Sequence, residues 1–210
     1  MLTRLHISSF VGLTIGVWLL ALWIQGMPVL SAEFVKPFGV VVGLISLFVT
    51  IFNKYIWSWR IFRGWYVKRP DLRGTWKVEL QSSWVDPDTG EQVDPIIGYA
   101  SVRQSLTFLS LRLMTKESRS VLVAHSIEQQ EDDDLFKLVA VYRNEPQIEL
   151  QGVRSEIHHG SFALEVHGTP PYELQGHYWT DRATRGSMKL KERVKKIYDT
   201  YEHAHREMGN

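Results

Sequence analysis

The densest chemistry in this 210-residue chain is the run Leu174-Gln-Gly-His-Tyr-Trp-Thr-Asp-Arg-Ala-Thr-Arg-Gly186, which crowds aromatics, hydroxyls and two arginines into one stretch. Arg182 and Arg185 present forked guanidinium donors that suit phosphate. Tyr178 either stacks on a base or closes the floor of a core. Thr180 and Thr184 either hydrogen-bond phosphate or ribose, or sit solvated in a turn. Histidines cluster twice. His158-His159 falls in a predicted hairpin turn and would mimic a metal cluster only beside His167 or His177; His203-Ala204-His205 lies near Glu207 in a polar tail. Neither spacing forces the ligands to converge, so no metal is expected. The chain has no Cys, which removes disulfide scaffolds, Cys zinc sites and thiol nucleophiles. It lacks H-E-x-x-H, G-x-S-x-G, a Walker loop and the dinucleotide G-x-G-x-x-G. No pair of carboxylates is spaced to act as general acid and base. The chemistry on offer is binding, not catalysis, and it calls for no cofactor.

Those residues need a scaffold, and from Asp71 to Arg193 the apolar period is two, the signature of strands. Gly74, Trp76, Val78 and Leu80 share one face; so do Phe136, Leu138, Ala140 and Tyr142, then Leu174, Gly176, Tyr178 and Thr180. Eight candidate strands cover about 74–83, 97–105, 107–116, 119–128, 135–143, 161–167, 173–180 and 186–193. Turn signals separate them: Asp86–Gly90, Lys116–Arg119, Glu131–Asp134, Asn144-Glu145-Pro146, His158-His159-Gly160, Gly168–Pro171 and Asp181–Arg185. Short antiparallel strands in this number make a closed up-and-down barrel, lipocalin- or avidin-like, or a sandwich. A barrel of this size holds one small ligand. The expected inward faces carry Gln104, Thr107, Thr115, Ser120, Tyr142, Tyr178 and Thr180. Buried polar atoms need partners, so these groups either line a ligand pocket or meet water and each other at the rim. The tail, Val194–Asn210, reads as a short polar helix with Glu192–Lys196 and Glu202–Arg206 pairs four residues apart.

The rest of the chain is of another kind. Over all 210 residues, 24 Lys+Arg balance 23 Asp+Glu, which argues against a nucleic-acid coat, and 44% hydrophobic residues with eight Trp exclude a disordered chain. Residues 1–53 hold only three charges, Arg4, Glu33 and Lys36. Ile7–Ile24 is uncharged over 18 residues and Pro37–Asn53 over 17; at about 1.5 Å per residue the first spans roughly 27 Å. The first run alone would also suit a signal peptide, but the second span and the lack of a cleavage site before Pro28 favour a transmembrane hairpin. Lys54, Arg60, Arg63, Lys68, Arg69 and Arg73 follow the second span, which puts both termini in the cytoplasm. Trp57, Trp59, Trp65 and Tyr66 interleave with those bases as an interfacial belt. Neither span carries an acidic or basic residue of the kind pumps and carriers require. Gly12 and Gly16, then Gly39 and Gly43, form two G-x-x-x-G spacings that let helices approach closely in lipid.

Taken together, the hairpin, Pro70-Asp-Leu-Arg-Gly74-Thr-Trp76, Gln104 with Thr107, Thr115 with Ser118 and Ser120, Tyr142-Arg-Asn144-Glu-Pro146, His159-Gly160 and Gly176-x-Tyr178-Trp-Thr180-x-Arg182-x-Thr184-x-Gly186 resemble the two-transmembrane, β-strand-rich effectors of bacterial CBASS antiphage defence. In that family a membrane-anchored β-barrel works beside a CD-NTase. The resemblance implies a multi-pass inner-membrane protein with a hairpin over 1–56, a basic, aromatic linker over 57–70, a cytosolic ligand-sensing barrel over 71–193 and a tail over 194–210. It implies that the barrel binds a cyclic dinucleotide as activating ligand, with Gln104, Thr107, Tyr142, Asn144, Tyr178, Thr180, Arg182, Thr184 and Arg185 as candidate contacts. Binding would then drive self-association of the hairpins, disrupt the inner membrane and cause abortive infection. The CD-NTase would be a functional partner without direct contact; DNA and RNA would not be partners. Two other classes stay open: a membrane-tethered carrier of a small apolar ligand, and a barrel that only assembles with proteins.

Overall fold

The computed structural model describes residues 4–26, 32–85, 90–129, 135–151 and 156–209. The chain divides into two compact units, Met1–Lys68 and Arg69–Asn210.

The first unit is built on two helices, α1 (Arg4–Ile24) and α2 (Phe38–Lys54). His6–Ile24 is long and apolar enough to cross a membrane, and α2 is apolar but 17 residues long. Leu22 and Val41 are among the few buried side chains, while Phe10, Ile15, Leu44 and Phe48 point outward. An apolar exterior of this kind is what a lipid solvent favours. The Trp18 indole donates to Phe34 O (3.1 Å) and stacks on its ring at 5.3 Å. Phe52 in the last turn of α2 clusters with Phe62 and Tyr66 beyond it, and His6 meets Tyr66 with ring centroids 4.7 Å apart. Of the expected belt, Trp59 and Trp65 are exposed and Trp57 is buried. The connector Met27–Ser31 lies outside the described residues, as does Met1–Thr3.

The second unit is a closed barrel of eight strands: β1 (Gly74–Ser82), β2 (Ile96–Gln104), β3 (Leu109–Met114), β4 (Ser118–Gln129), β5 (Phe136–Pro146), β6 (His158–His167), β7 (Glu173–Thr180) and β8 (Arg185–Val194). Each strand pairs antiparallel with the next, and β1 pairs with β8. Closure decides between barrel and sandwich, and it leaves no sheet edge at the first and last strands. The period-two faces point inward as read: Trp76, Val78, Ala100, Leu111, Leu138, Leu164, Leu174 and Leu190 form the core.

One end of the barrel is sealed where the chain enters. Leu72 is buried there, and the Trp76 indole donates to Leu72 O (2.9 Å). Arg193 at the end of β8 donates to Arg73 O and Asp71 O (2.9 and 2.8 Å) and lies over the Trp76 ring. This guanidinium fastens the incoming segment to the last strand.

Three expectations change. Asn144-Glu145-Pro146 and His158-His159-Gly160 are strand, not turn: β5 and β6 run on, with Tyr142 opposite Gly160 and Asn144 opposite His158. The glycine that reads as a turn residue instead leaves room for an aromatic neighbour. Glu145 is held in β5 by Arg119 of β4 (2.9 Å). Thr107 lies in the link between β2 and β3 and not at the start of a strand. In the tail, β8 continues to Val194; Glu192, at φ 52°, pairs with Lys77 of β1 (3.2 Å), so it makes no helical pair with Lys196. Helix α3 (Tyr201–Met208) starts at Thr200, whose hydroxyl accepts from His203 N (3.3 Å). It is amphipathic, burying Ala204 and Met208 with Tyr99, Met114 and Tyr198. The expected turns at Asp86–Thr89 and Glu131–Asp134 lie outside the described residues.

A candidate ligand cavity at the open end of the barrel

The end opposite the sealed one holds a cavity of about 710 Å³. It forms where β1, β3, β5 and β7 finish, and its walls follow from alternation along those strands. Two tyrosines shape it. Tyr142 of β5 lies across Gly160 of β6, and Tyr178 of β7 lies across Gly186 of β8. A methyl group at Gly160 would sit 2.4 Å from Tyr142 Cζ, and one at Gly186 would sit 2.8 Å from Tyr178 Cε1. Each ring therefore occupies space that only glycine leaves. Phe162 stacks on Tyr142 at 6.2 Å from below. Neither phenol oxygen has a hydrogen-bond partner among the described residues. Burial, with Tyr178 and Asp181 nearby, pushes the Tyr142 phenol up to about 12. It stays protonated and can donate.

Polar groups sit above the rings. Ser120 Oγ donates to Asn144 Oδ1 (2.8 Å), both residues being buried, which leaves the Asn144 amide hydrogens available. Thr180 and Thr184 hydroxyls lie 2.7 Å apart across the β7–β8 turn. Arg182 in that turn and Lys116 in the β3–β4 turn bring cations to the mouth, with Glu117 beside Lys116. The opposite wall is aliphatic, with Leu80, Ile97, Leu111 and Leu113.

The structure thus brings six of the nine candidate contacts to one cavity: Tyr142, Asn144, Tyr178, Thr180, Arg182 and Thr184. It places three elsewhere. Gln104 is buried at the sealed end, where its side chain accepts from Leu72 N (2.8 Å) and donates to Pro70 O (2.9 Å). Its amide is spent on folding the incoming segment. Thr107 belongs to the β2–β3 link at that same end. Arg185, opposite Trp179 in register, is exposed outside the barrel. Alternation explains the placement: in β8 Gly186 faces inward, so its neighbour faces out.

Sequence reasoning did not name Lys116, Ser118 or His158 among the candidate ligand contacts, and all three line the cavity. His158 was readable by counting back in twos from Phe162 and Gly160. Lys116 carried no signal, since a lysine in a turn is ordinarily solvated. His159 points to the other face, with its backbone N–H donating to Asp181 (2.9 Å). His203 packs on Tyr198, and His205 Nδ1 lies 3.1 Å from Tyr99 OH. Among the described residues no three His, Asp or Glu side chains gather as a metal site would require. What the cavity combines is stacking surface, neutral donors and two rim cations, a set suited to a small, flat, anionic ligand.

Residues 67–192 match the family model described as Cap15, cyclic dinucleotide receptor domain, a span that contains β1 to β7 and most of β8. Over 148 residues the chain is 26% identical to CD-NTase-associated protein 15 of Staphylococcus schleiferi, covering 70% of this chain and 74% of that protein.

Proposed function

We propose a function on one established premise: this chain belongs to the family of Cap15 cyclic dinucleotide receptor domains. Its barrel is the receptor of a CBASS effector, and the open-end cavity is where a cyclic dinucleotide binds. The observation that carries this is the pair of tyrosines laid over Gly160 and Gly186 beneath a polar, cationic mouth. Bases stack on such rings, and a dianion needs a few well-placed donors, not a basic coat. The cavity volume falls within the roughly 300–1,000 Å³ of small-molecule sites. The protein acts as a receptor and catalyses nothing; the CD-NTase supplies the ligand without direct contact, and no DNA or RNA is involved.

The hairpin does the work. Both helices cross the inner membrane with the termini in the cytoplasm, a reading supported by the basic flank after α2. Ligand binding gathers the hairpins into an oligomer that breaches the membrane and ends the infection with the cell. Gly12, Gly16, Gly39 and Gly43 support this: an added methyl at any of them would meet nothing within 4 Å. These small faces are not used between the two helices of one chain, so they are open to another copy. A tenfold preference of ligand for the assembled state shifts the balance by about 1.4 kcal/mol.

The test is calorimetric titration of the full chain in detergent with cyclic dinucleotides, coupled to membrane depolarisation when it is co-expressed with an active nucleotidyltransferase. Binding with depolarisation is expected; absence of both sinks the reading. The aliphatic wall favours a second reading, a carrier of an apolar molecule, and lipid co-purifying in the cavity would select it.

A further inference from the structure

Two turns at the cavity mouth are built alike. In the β3–β4 turn, Thr115 N donates to Ser118 O (2.9 Å) and the two hydroxyls lie 3.0 Å apart, with Lys116 between them. In the β7–β8 turn, Thr180 N donates to Thr184 O (2.9 Å) and the hydroxyls lie 2.7 Å apart, with Arg182 between them. All six residues line the cavity. In a closed ring of eight strands these turns are four strands apart, on opposite sides of the mouth. Each brings one cation and two hydroxyls to the mouth. A carboxylate flanks the cation in each turn, Glu117 beside Lys116 and Asp181 beside Arg182, and Asp181 also accepts from the His159 backbone N–H (2.9 Å).

A cyclic dinucleotide carries its two phosphodiesters on opposite sides of a twelve-membered ring. We propose that the two turns are matched phosphate contacts, one for each phosphodiester, and that Lys116 is the counterpart of Arg182. The inference rests on the receptor reading above and adds which groups hold the charges. It has a consequence for selectivity. The phosphates are held symmetrically, but the walls beneath them differ, tyrosines on one side and aliphatics on the other. The site therefore demands both phosphates and reads one base more closely than the other.

The experiment is calorimetric titration of the full chain in detergent with cyclic di-AMP, cyclic di-GMP, cyclic di-UMP and cyclic UMP–AMP. For the tightest of these, Lys116→Ala and Arg182→Ala should each weaken binding about tenfold, and Lys116→Arg should stay within about twofold of the parent. Thermal melts should not move, since both side chains are exposed. A linear dinucleoside monophosphate, with a single phosphodiester, should lose only about twofold on either substitution, because the remaining turn serves it. Unchanged affinity in Lys116→Ala alongside a loss in Arg182→Ala would overturn the pairing while leaving the receptor reading intact. Failure of all four cyclic dinucleotides to bind would overturn the receptor reading itself.

Discussion

Tyr142 and Gly160 act as one unit, because the ring fills the volume a side chain on β6 would take. Gly160→Ala should drive the ring out, cost about 1–3 kcal/mol of stability by overpacking, and weaken ligand binding; melts and titrations read the two effects separately. Tyr142→Phe removes the donor but keeps the stacking surface. Its loss of affinity should be the same at pH 6 and pH 9, because an ordinary phenol ionises near about 10 and this one near about 12. At the sealed end, burial works against ionising Asp71, but the Arg73 hydrogen bond and charge, with Arg193, outweigh it and hold the carboxyl below its usual range. A depressed folded pKa means that the contribution to stability is complete above the unfolded value of about 4 and is lost as pH falls through the folded one. The melting temperature should therefore drop below about pH 4, and Asp71→Asn should flatten that part of the profile.

Among the elements, the strands were legible because alternation over six or more residues survives without tertiary help: the observed β7, Glu173–Thr180, has the same bounds as its expectation. Turns were less legible. Asn144-Glu145-Pro146 and His158-His159-Gly160 have turn composition, yet cross-strand contacts to Arg119 and Tyr142 keep both in strand. Helix α3 was readable as a helix but not as a packing element. Only Ala204 and Met208 of its eight residues are buried, and the surface they cover, Tyr99 and Met114, is an outward face of the barrel. Because Ala204 is fully buried, Ala204→Glu should lower stability by about 2 kcal/mol or more through an unpaired buried charge, measured by denaturant unfolding.

In the whole molecule, the apolar helices and the barrel belong to separate compact units. Replacing Gly12, Gly16, Gly39 and Gly43 with Leu should abolish membrane depolarisation and leave cyclic dinucleotide affinity within about twofold of the parent; a parallel loss of affinity would show that the two are not separable. By itself, the sequence determined the two apolar helices, the number and faces of the strands and the aromatic, arginine-bearing stretch at the mouth, because charge depletion and a period of two are local properties. Tertiary structure alone decided that the sheet closes, that Gln104 seals one end while Asn144 opens on the other, that Arg185 points away, and that Lys116 stands across from Arg182. Those facts depend on which strands become neighbours around a ring and how high each residue sits along the barrel axis, and no window of the chain contains both partners.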